Sequence, residues 1–315
     1  MNKYHLHQTN LDVSRIAFGC MRLAGKEKSG LVAIETALDC GINFFDHADI
    51  YGAGKSEEVF AKLWKRQPHL RGKIILQSKC GIRFENNPEP GAPPRYDFSY
   101  SHIIDSVNRI LARLQTGHLD LLLLHRPDPL AEPEEISRAF DELRQVGKVR
   151  YFGVSNHNAA QIELLKAYLS VPIVANQLEV SVLHAGIIEE GIIVNQSRPE
   201  VSSRGDGTLE YCRLHKVMIQ AWSPLAGGRL AGLRNPLSSM ELQLNCEINS
   251  IAVDHHISLE AVMIAWLLRH PAEIQPIIGT MTPERVKAIC RADGLNLTRE
   301  EWYRIYNAGR SYRLP

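Results

Sequence analysis

The sequence predicts an α/β protein built as a single closed (β/α)8 TIM barrel. Apolar runs of strand length alternate with segments of helical spacing, and the alternation recurs eight times over roughly 300 residues. Polar side chains able to carry protons follow several of these runs, at the position where barrels place their reacting groups. The 315 residues also suffice for two average domains. An open doubly wound sheet would need edge strands, and none is obvious.

The predicted elements follow one another regularly along the chain. Ile16 to Cys20 is predicted as the first strand. Gly30 to Cys40 has the apolar spacing of a helix, which Gly41 ends. The remaining predicted elements are strand 42–46, helix 56–66, strand 73–79, helix 99–114, strand 119–124, helix 134–146, strand 149–154, helix 159–169, and strands 172–176, 217–221 and 274–278.

Three segments interrupt this alternation and are predicted as loops on the functional rim. They are residues 83–98, which are rich in proline, residues 195–207, and residues 226–236, which are rich in glycine. Loops that follow barrel strands border the substrate, so these segments are expected to shape specificity. For 195–207, a plain surface insertion is an equally good interpretation.

Composition argues against several classes of partner. The formal net charge of +1 gives no strong field for nucleic acid or an anionic membrane surface. No apolar run approaches the ~18 residues of a membrane span, and the first residues lack an apolar signal core. The cysteines are scattered without a C-x-x-C pair, which is typical of reduced thiols, and the expected location is cytoplasmic. The histidines fit no metal-ligand spacing, so no metal is predicted.

Asp46, Tyr51, Lys79 and His125 each lie at or just past the end of an apolar run. A phenol with a pKa of about 10 donates its proton poorly unless its phenolate is stabilised, and the Lys79 ammonium would stabilise it. A buried ammonium needs a counter-charge, which Asp46 would supply. His125 would hydrogen-bond a carbonyl oxygen. These groups polarise a C=O bond and protonate its oxygen, but they carry no hydride, so a cofactor must supply it.

The segment after the last predicted strand indicates an anion site. Thr282 is a candidate N-cap, and Pro283 suits the first helical position. The exposed amides of a helix start attract phosphate, and Arg285 in the first turn adds a planar cation. This favours NADPH over NADH, whereas Glu284 is placed to accept a ribose hydroxyl. The alternative is simply a capped helix with a solvated arginine.

The motifs taken together resemble the aldo-keto reductase family over nearly the whole chain. The resemblance rests on the segment Asp46-His47-Ala48-Asp49-Ile50-Tyr51-Gly52 and on shorter motifs after the other strands, in an order typical of bacterial oxidoreductases of that family. It implies that Tyr51 is the general acid, that Asp46 and Lys79 tune it, and that His125 orients the carbonyl. One departure is Gly279, where many relatives have lysine.

The resemblance also implies a set of NADP-binding residues. Ser155, Asn156 and Gln177 would hold the nicotinamide carboxamide, and Trp222 would stack beneath the ring, although a buried rim aromatic is the alternative. The further implied cofactor contacts are Gly19, Met21, Ser223, Pro224, Leu225, Gly279, Thr280 and Arg285. The substrate would be a small carbonyl compound in a pocket bordered by Met21, Ile50, Phe84 and the rim loops.

Two other functions fit the same sequence. Relatives with this fold include regulatory subunits in which the bound cofactor reports redox state more than it serves turnover. A barrel lysine such as Lys79 can also act as a Schiff-base nucleophile in an aldolase, although the pairing of Asp46 with Tyr51 argues against that role. Neither the physiological substrate nor the oligomeric state is predicted by the sequence.

Overall fold

The computed structural model describes residues 1–193, 207–232, 236–312 and 314, and the fold is given for those ranges. The strands in chain order are β1 (Lys3–Leu6), β2 (Leu11–Ser14), β3 (Ala17–Gly19), β4 (Phe44–Asp46), β5 (Ile75–Cys80), β6 (Ile82–Arg83), β7 (Arg95–Tyr96), β8 (Leu119–Leu124), β9 (Val149–Ser155), β10 (Ile173–Glu179), β11 (Met218–Trp222) and β12 (Gln275–Ile278).

Eight of these strands form a closed parallel barrel, in the order β3-β4-β5-β8-β9-β10-β11-β12 and back to β3. This confirms the predicted fold class, and each of the eight predicted strands overlaps one barrel strand. The helices are α1 (Glu27–Asp39), α2 (Lys55–Arg66), α3 (Tyr100–Leu114), α4 (Pro133–Gln145), α5 (Ala159–Lys166), α6 (Gly186–Ile193), α7 (Thr208–Leu214), α8 (Ser239–Asp254), α9 (Leu259–Leu268), α10 (Pro283–Cys290) and α11 (Arg299–Ala308).

Two antiparallel hairpins lie outside the barrel, and the sequence did not predict either. β1 pairs with β2 before the first barrel strand, and β6 pairs with β7 inside the predicted rim loop 83–98. Leu6, Leu11 and Val13 of the first hairpin pack against interior side chains such as Phe44 and Leu121. The hairpin therefore closes the mouth of the barrel at the amino ends of its strands, and the opposite mouth is left for a site.

A second apolar core fills the space between the strands and the surrounding helices. Helix α9 lies within it for most of its length, since every residue from Ala261 to Leu268 is buried. In the described ranges no single helix is long and apolar enough to cross a bilayer; α8 and α9 together reach that length and composition but meet at a bend of 93°.

Candidate active site

Lys79 is the centre of a group of polar side chains at the carboxyl ends of the barrel strands. It is 0% exposed, and its Nζ donates to both carboxylate oxygens of Asp46, each at 2.8 Å. The same Nζ lies 3.1 Å from the hydroxyl of Tyr51 and 2.7 Å from the main-chain oxygen of His47. Asp46 ends β4, which pairs directly with β5. Strand pairing therefore brings Asp46 and Lys79 together.

A short turn of unusual backbone conformation holds Tyr51 over the strand ends. Tyr51–Gly54 is a 3-10 turn in which Gly52 has φ 58° and Ala53 has φ 54°. A Cβ atom on Gly52 would lie 2.4 Å from the Cβ of Ala24. The close approach of the neighbouring loop therefore requires glycine at position 52, and the left-handed backbone favours it.

His125 completes the group from the residue immediately after β8. Its main-chain N–H donates to the carbonyl oxygen of Cys80 at 2.9 Å, and its ring lies edge-on to the Tyr51 ring with centroids 6.1 Å apart. Burial, with added repulsion from Lys79 and Arg126, lowers the pKa of His125 to about 2. The imidazole is therefore neutral at physiological pH and can donate one N–H to an oxygen without bringing a charge.

Burial dominates the electrostatics of the Tyr51 hydroxyl. Burial raises the pKa of Tyr51 above its usual value, and the Lys79 ammonium offsets only part of that rise. A lysine neighbour alone would lower the pKa of a phenol. The pKa of Tyr51 is raised instead, because the phenolate is poorly solvated in this buried position. For Lys79, burial favours the neutral amine, but Asp46 and Tyr51 outweigh it and raise the pKa of the ammonium. The phenol and the ammonium both stay protonated at neutral pH.

A cavity of about 410 Å³ opens at this mouth of the barrel. It is lined by three of the four predicted catalytic residues and by all the predicted cofactor contacts, whereas Lys79 lies beneath its wall. The predicted residues that line it are Gly19, Met21, Asp46, Tyr51, His125, Ser155, Asn156, Gln177, Trp222, Ser223, Pro224, Leu225, Gly279, Thr280 and Arg285. Their location agrees with the prediction, and their roles remain predictions.

The residues predicted to hold the carboxamide are bonded to one another. Asn156 Nδ2 donates to Ser155 Oγ at 2.8 Å, and Asn156 Oδ1 accepts from Trp222 Nε1 at 3.1 Å. Gln177 Nε2 donates to Asp46 Oδ1 at 3.1 Å. Asn156 and Ser223 have φ values of 61° and 51°, a region in which residues other than glycine are uncommon and which is concentrated at functional sites. A planar amide ligand would fit by exchanging some of these bonds.

The phosphate end differs from the sequence prediction in three details. Helix α10 begins at Pro283 with Thr282 at the N-cap position, as predicted, but the Thr282 side chain makes no capping hydrogen bond. Arg285 lines the cavity and also donates to Glu260 Oε1 at 3.0 Å. Arg22, which was not predicted, lines the same end and donates to the Gly279 oxygen at 3.3 Å.

Sequence reasoning missed a layer of glutamines inside the barrel. Gln77 Nε2 donates to Asp46 Oδ1 at 2.6 Å and to Gln220 Oε1 at 2.9 Å. Gln220 in turn donates to Gln275 at 3.0 Å. Each of these glutamines is a single long polar residue within an apolar run of strand length. That feature is the signal from which a polar layer could have been predicted. The layer supports Asp46 from the side of the barrel axis.

Other parts of the prediction differ from the structure or fall outside it. Phe84 is half exposed and does not line the cavity; Ile82, on the two-residue strand β6, lines it instead. Gly227 and Gly228, inside the predicted glycine-rich loop, also line it. Residues 195–206 of the predicted loop 195–207 lie outside the described residues, as do residues 233–235 of the loop 226–236. Across the described ranges no group of three His, Cys, Asp or Glu side chains is placed to hold a metal.

The closed barrel holds Asp46, Tyr51, Lys79 and His125, called the tetrad below, beside an open cavity. The chain belongs to the aldo/keto reductase family, whose model matches residues 15–309. It is 39% identical to the oxidoreductase YdhF of Escherichia coli, over 96% of each chain, and 35% identical to a 6-dehydroglucose reductase of Agrobacterium fabrum, over 94% of each. An aldo-keto reductase of Bacillus halodurans, solved in its holo form, superposes with a TM-score of 0.77 at 27% identity, covering 99% of this chain and 97% of that one.

Proposed function

We propose that this protein reduces an aldehyde or a ketone to the alcohol with NADPH, and that Tyr51 donates the proton. The observation that carries the proposal is the position of Lys79 Nζ, within hydrogen-bonding distance of both Asp46 oxygens and of the Tyr51 hydroxyl. Tyr51 and His125 both line the cavity in which a carbonyl compound would bind.

Each residue of the tetrad has a role that follows from its protonation state. Tyr51 is a neutral phenol at neutral pH and has a proton to give to the developing alkoxide. As that proton leaves, the adjacent Lys79 ammonium stabilises the phenolate in a site with little water. Asp46 keeps the ammonium in place and compensates its charge. Neutral His125 holds the carbonyl oxygen near Tyr51 by a hydrogen bond.

The residues of the cavity fit a nicotinamide dinucleotide. NADPH supplies the hydride that no side chain of the tetrad can supply. Ser155, Asn156 and Gln177 would hold its carboxamide, and Trp222 offers a flat face for the ring. The start of α10, with Arg285 in its first turn, would hold phosphate. Because Arg285 is already paired with Glu260, we expect a moderate preference for NADPH over NADH.

The test combines cofactor titration with a substrate panel. Fluorescence titration measures the affinity for NADPH and NADH. The panel contains aldehydes, diketones and 6-dehydroglucose, since one relative is named as a reductase of that sugar.

Tyr51→Phe should lower kcat by about 10²–10⁴-fold and change the NADPH Kd by less than about twofold. Tyr151→Phe, which removes a hydroxyl bonded to Asn10 near the other mouth, is the matched control and should leave kcat unchanged. Equal loss of turnover and NADPH affinity in Tyr51→Phe would contradict the assigned role.

The other two interpretations of the sequence give different results in the same test. A redox-reporting subunit would bind NADPH that no compound of the panel oxidises above the rate in buffer. An aldolase would be trapped on Lys79 by borohydride in the presence of substrate. The structure provides no support for the aldolase, because Lys79 is fully buried, paired with both Asp46 oxygens and placed behind the cavity wall.

A further inference from the structure

Arg126 is a cavity residue that the proposed chemistry does not use. It directly follows His125 in the loop after β8, it is half-buried, and it lines the same cavity as Tyr51 and Trp222. Its guanidinium carbon lies 5.6 Å from the centre of the Trp222 ring. Among the described residues, Arg126 has no hydrogen-bonding or ion-pair partner, so its planar group of donors is available to a ligand.

The balance of charge around the cavity makes Arg126 distinctive. The charged residues that line the cavity are Asp46 and three arginines, Arg22, Arg126 and Arg285. Asp46 is matched by the Lys79 ammonium, and Arg285 is matched by Glu260. No described carboxylate is left to neutralise Arg126.

The two unmatched arginines serve opposite ends of the cavity. Arg22 donates to the Gly279 oxygen beyond β12, at the end where the cofactor phosphates are expected. Arg126 lies instead at the catalytic end, and its positive charge contributes to the lowered pKa of His125. A positive charge beside a neutral histidine and a neutral phenol favours a negative group on whatever binds there.

We propose that Arg126 binds a carboxylate of the substrate, so that the preferred substrate is an aldehyde or ketone that also carries a carboxylate group. The inference rests on the proposed function of the site. A guanidinium presents parallel N–H donors that match the two oxygens of a carboxylate. Such a contact, made beside His125, orients the carbonyl toward Tyr51 and selects acids over neutral analogues.

The test compares pairs of substrates that differ only in charge. Suitable pairs are 4-carboxybenzaldehyde with its methyl ester and succinic semialdehyde with its methyl ester. The wild type should have a kcat/KM at least about tenfold higher for each acid. Arg126→Met should lower kcat/KM for the acids by about 10–100-fold and for the esters by less than about threefold. Arg126→Lys, which keeps the charge and loses the planar fork, should lie between them.

A control at the other end of the cavity separates substrate binding from cofactor binding. Arg22→Met should change kcat/KM for an acid and its ester by the same factor, because Arg22 faces the cofactor end. Equal losses on acid and ester in Arg126→Met would overturn the proposal, as would a wild type that does not prefer acids. A comparable loss for glyceraldehyde, which is neutral and hydroxylated, would also overturn it, since Arg126 would then recognise hydroxyl groups.

A binding measurement keeps the proposal testable if none of the panel is turned over. That result would refute the proposed reduction without deciding the role of Arg126. Calorimetric titration of the NADPH complex with 4-(hydroxymethyl)benzoate and with the matching amide then decides it. The wild type should bind the acid more tightly than the amide, whereas Arg126→Met should bind the two ligands equally. If the acid binds the wild type and Arg126→Met with the same affinity, the carboxylate site is refuted.

Discussion

The protonation state of His125 determines how the reaction should depend on pH. Its pKa is lowered to about 2, whereas burial raises the pKa of Tyr51. The forms required for reduction, a neutral imidazole and a protonated phenol, therefore both persist from mildly acid to mildly alkaline solution. We expect kcat/KM for a neutral aldehyde, measured at saturating NADPH, to show no inflection from His125 between about pH 5 and 9, and to fall only as Tyr51 ionises at higher pH.

A nearby carboxyl group provides the control for that profile. Burial, with repulsion from Glu57, raises the pKa of Asp49 to about 7, and the main-chain N–H of Asp49 donates to the Lys79 oxygen. If an inflection does appear near neutrality, we therefore attribute it to Asp49 and expect it to disappear in Asp49→Asn. If it persists in Asp49→Asn and vanishes in His125→Gln, His125 titrates near its ordinary pKa and the neutral-imidazole role is wrong.

At the residue scale, sequence reasoning found most of the site because the chemistry lies at strand ends. Asp46, Lys79 and His125 each follow or end an apolar run, and their convergence follows from barrel geometry alone. Arg126 was not among the predicted site residues, since nothing in the sequence tells which way its side chain points. The net direction of the Tyr51 pKa was also beyond reach, because it depends on a balance of burial and charge.

At the element scale, the turn after β4 needs a particular residue, Gly52, to hold Tyr51 in position. Gly52→Ala introduces a Cβ that would lie 2.4 Å from the Cβ of Ala24, at a residue with φ 58°. Both effects displace the turn that positions the Tyr51 hydroxyl against Lys79. We expect kcat to fall by at least about tenfold, because small misplacements of reacting groups have large effects on rate.

The matched control is Gly147→Ala, in the turn that precedes β9. Gly147 has φ 72°, but an added Cβ meets nothing within 4 Å. It should lose about 1 kcal/mol of unfolding free energy from backbone strain alone and keep its kcat. Denaturant unfolding and steady-state kinetics on both variants measure the difference. Unchanged kcat in Gly52→Ala would show that the turn does not position Tyr51.

The same scale explains which elements were predictable. Barrel strands were found because each is a buried apolar run, such as Leu119–Leu124. The hairpins were missed because β1, β2, β6 and β7 have two to four residues each, too few for a period to appear. Because β6 was not predicted, Phe84, the residue after it, was taken to line the pocket, whereas Ile82 does so.

At the scale of the whole molecule, the barrel interior is divided into an apolar layer and a polar layer. Side chains such as Phe44, Leu121 and Val174 fill the half beneath the hairpin β1–β2. The glutamine layer lies above them and contacts Asp46. The glutamines are far apart along the chain, from Gln77 to Gln275, so no local sequence pattern relates them. Only the closure of the barrel brings them into one network.

This division predicts that stability and catalysis can be altered separately. Leu6 is 0% exposed and packs in the apolar layer, on the far side of the glutamines from the cavity. Leu6→Ala should lower the unfolding free energy by about 2–4 kcal/mol through lost contacts and a residual void. Its kcat/KM, measured well below the melting temperature, should stay within about twofold of the wild type. Tyr51→Phe should lower kcat/KM and leave the unfolding free energy nearly unchanged. Because the two sites share no partners, the double variant should combine both effects additively. A Leu6→Ala enzyme that remains folded but loses kcat as strongly as Tyr51→Phe would mean that the hairpin transmits its packing to the tetrad, and that the two layers act as one unit.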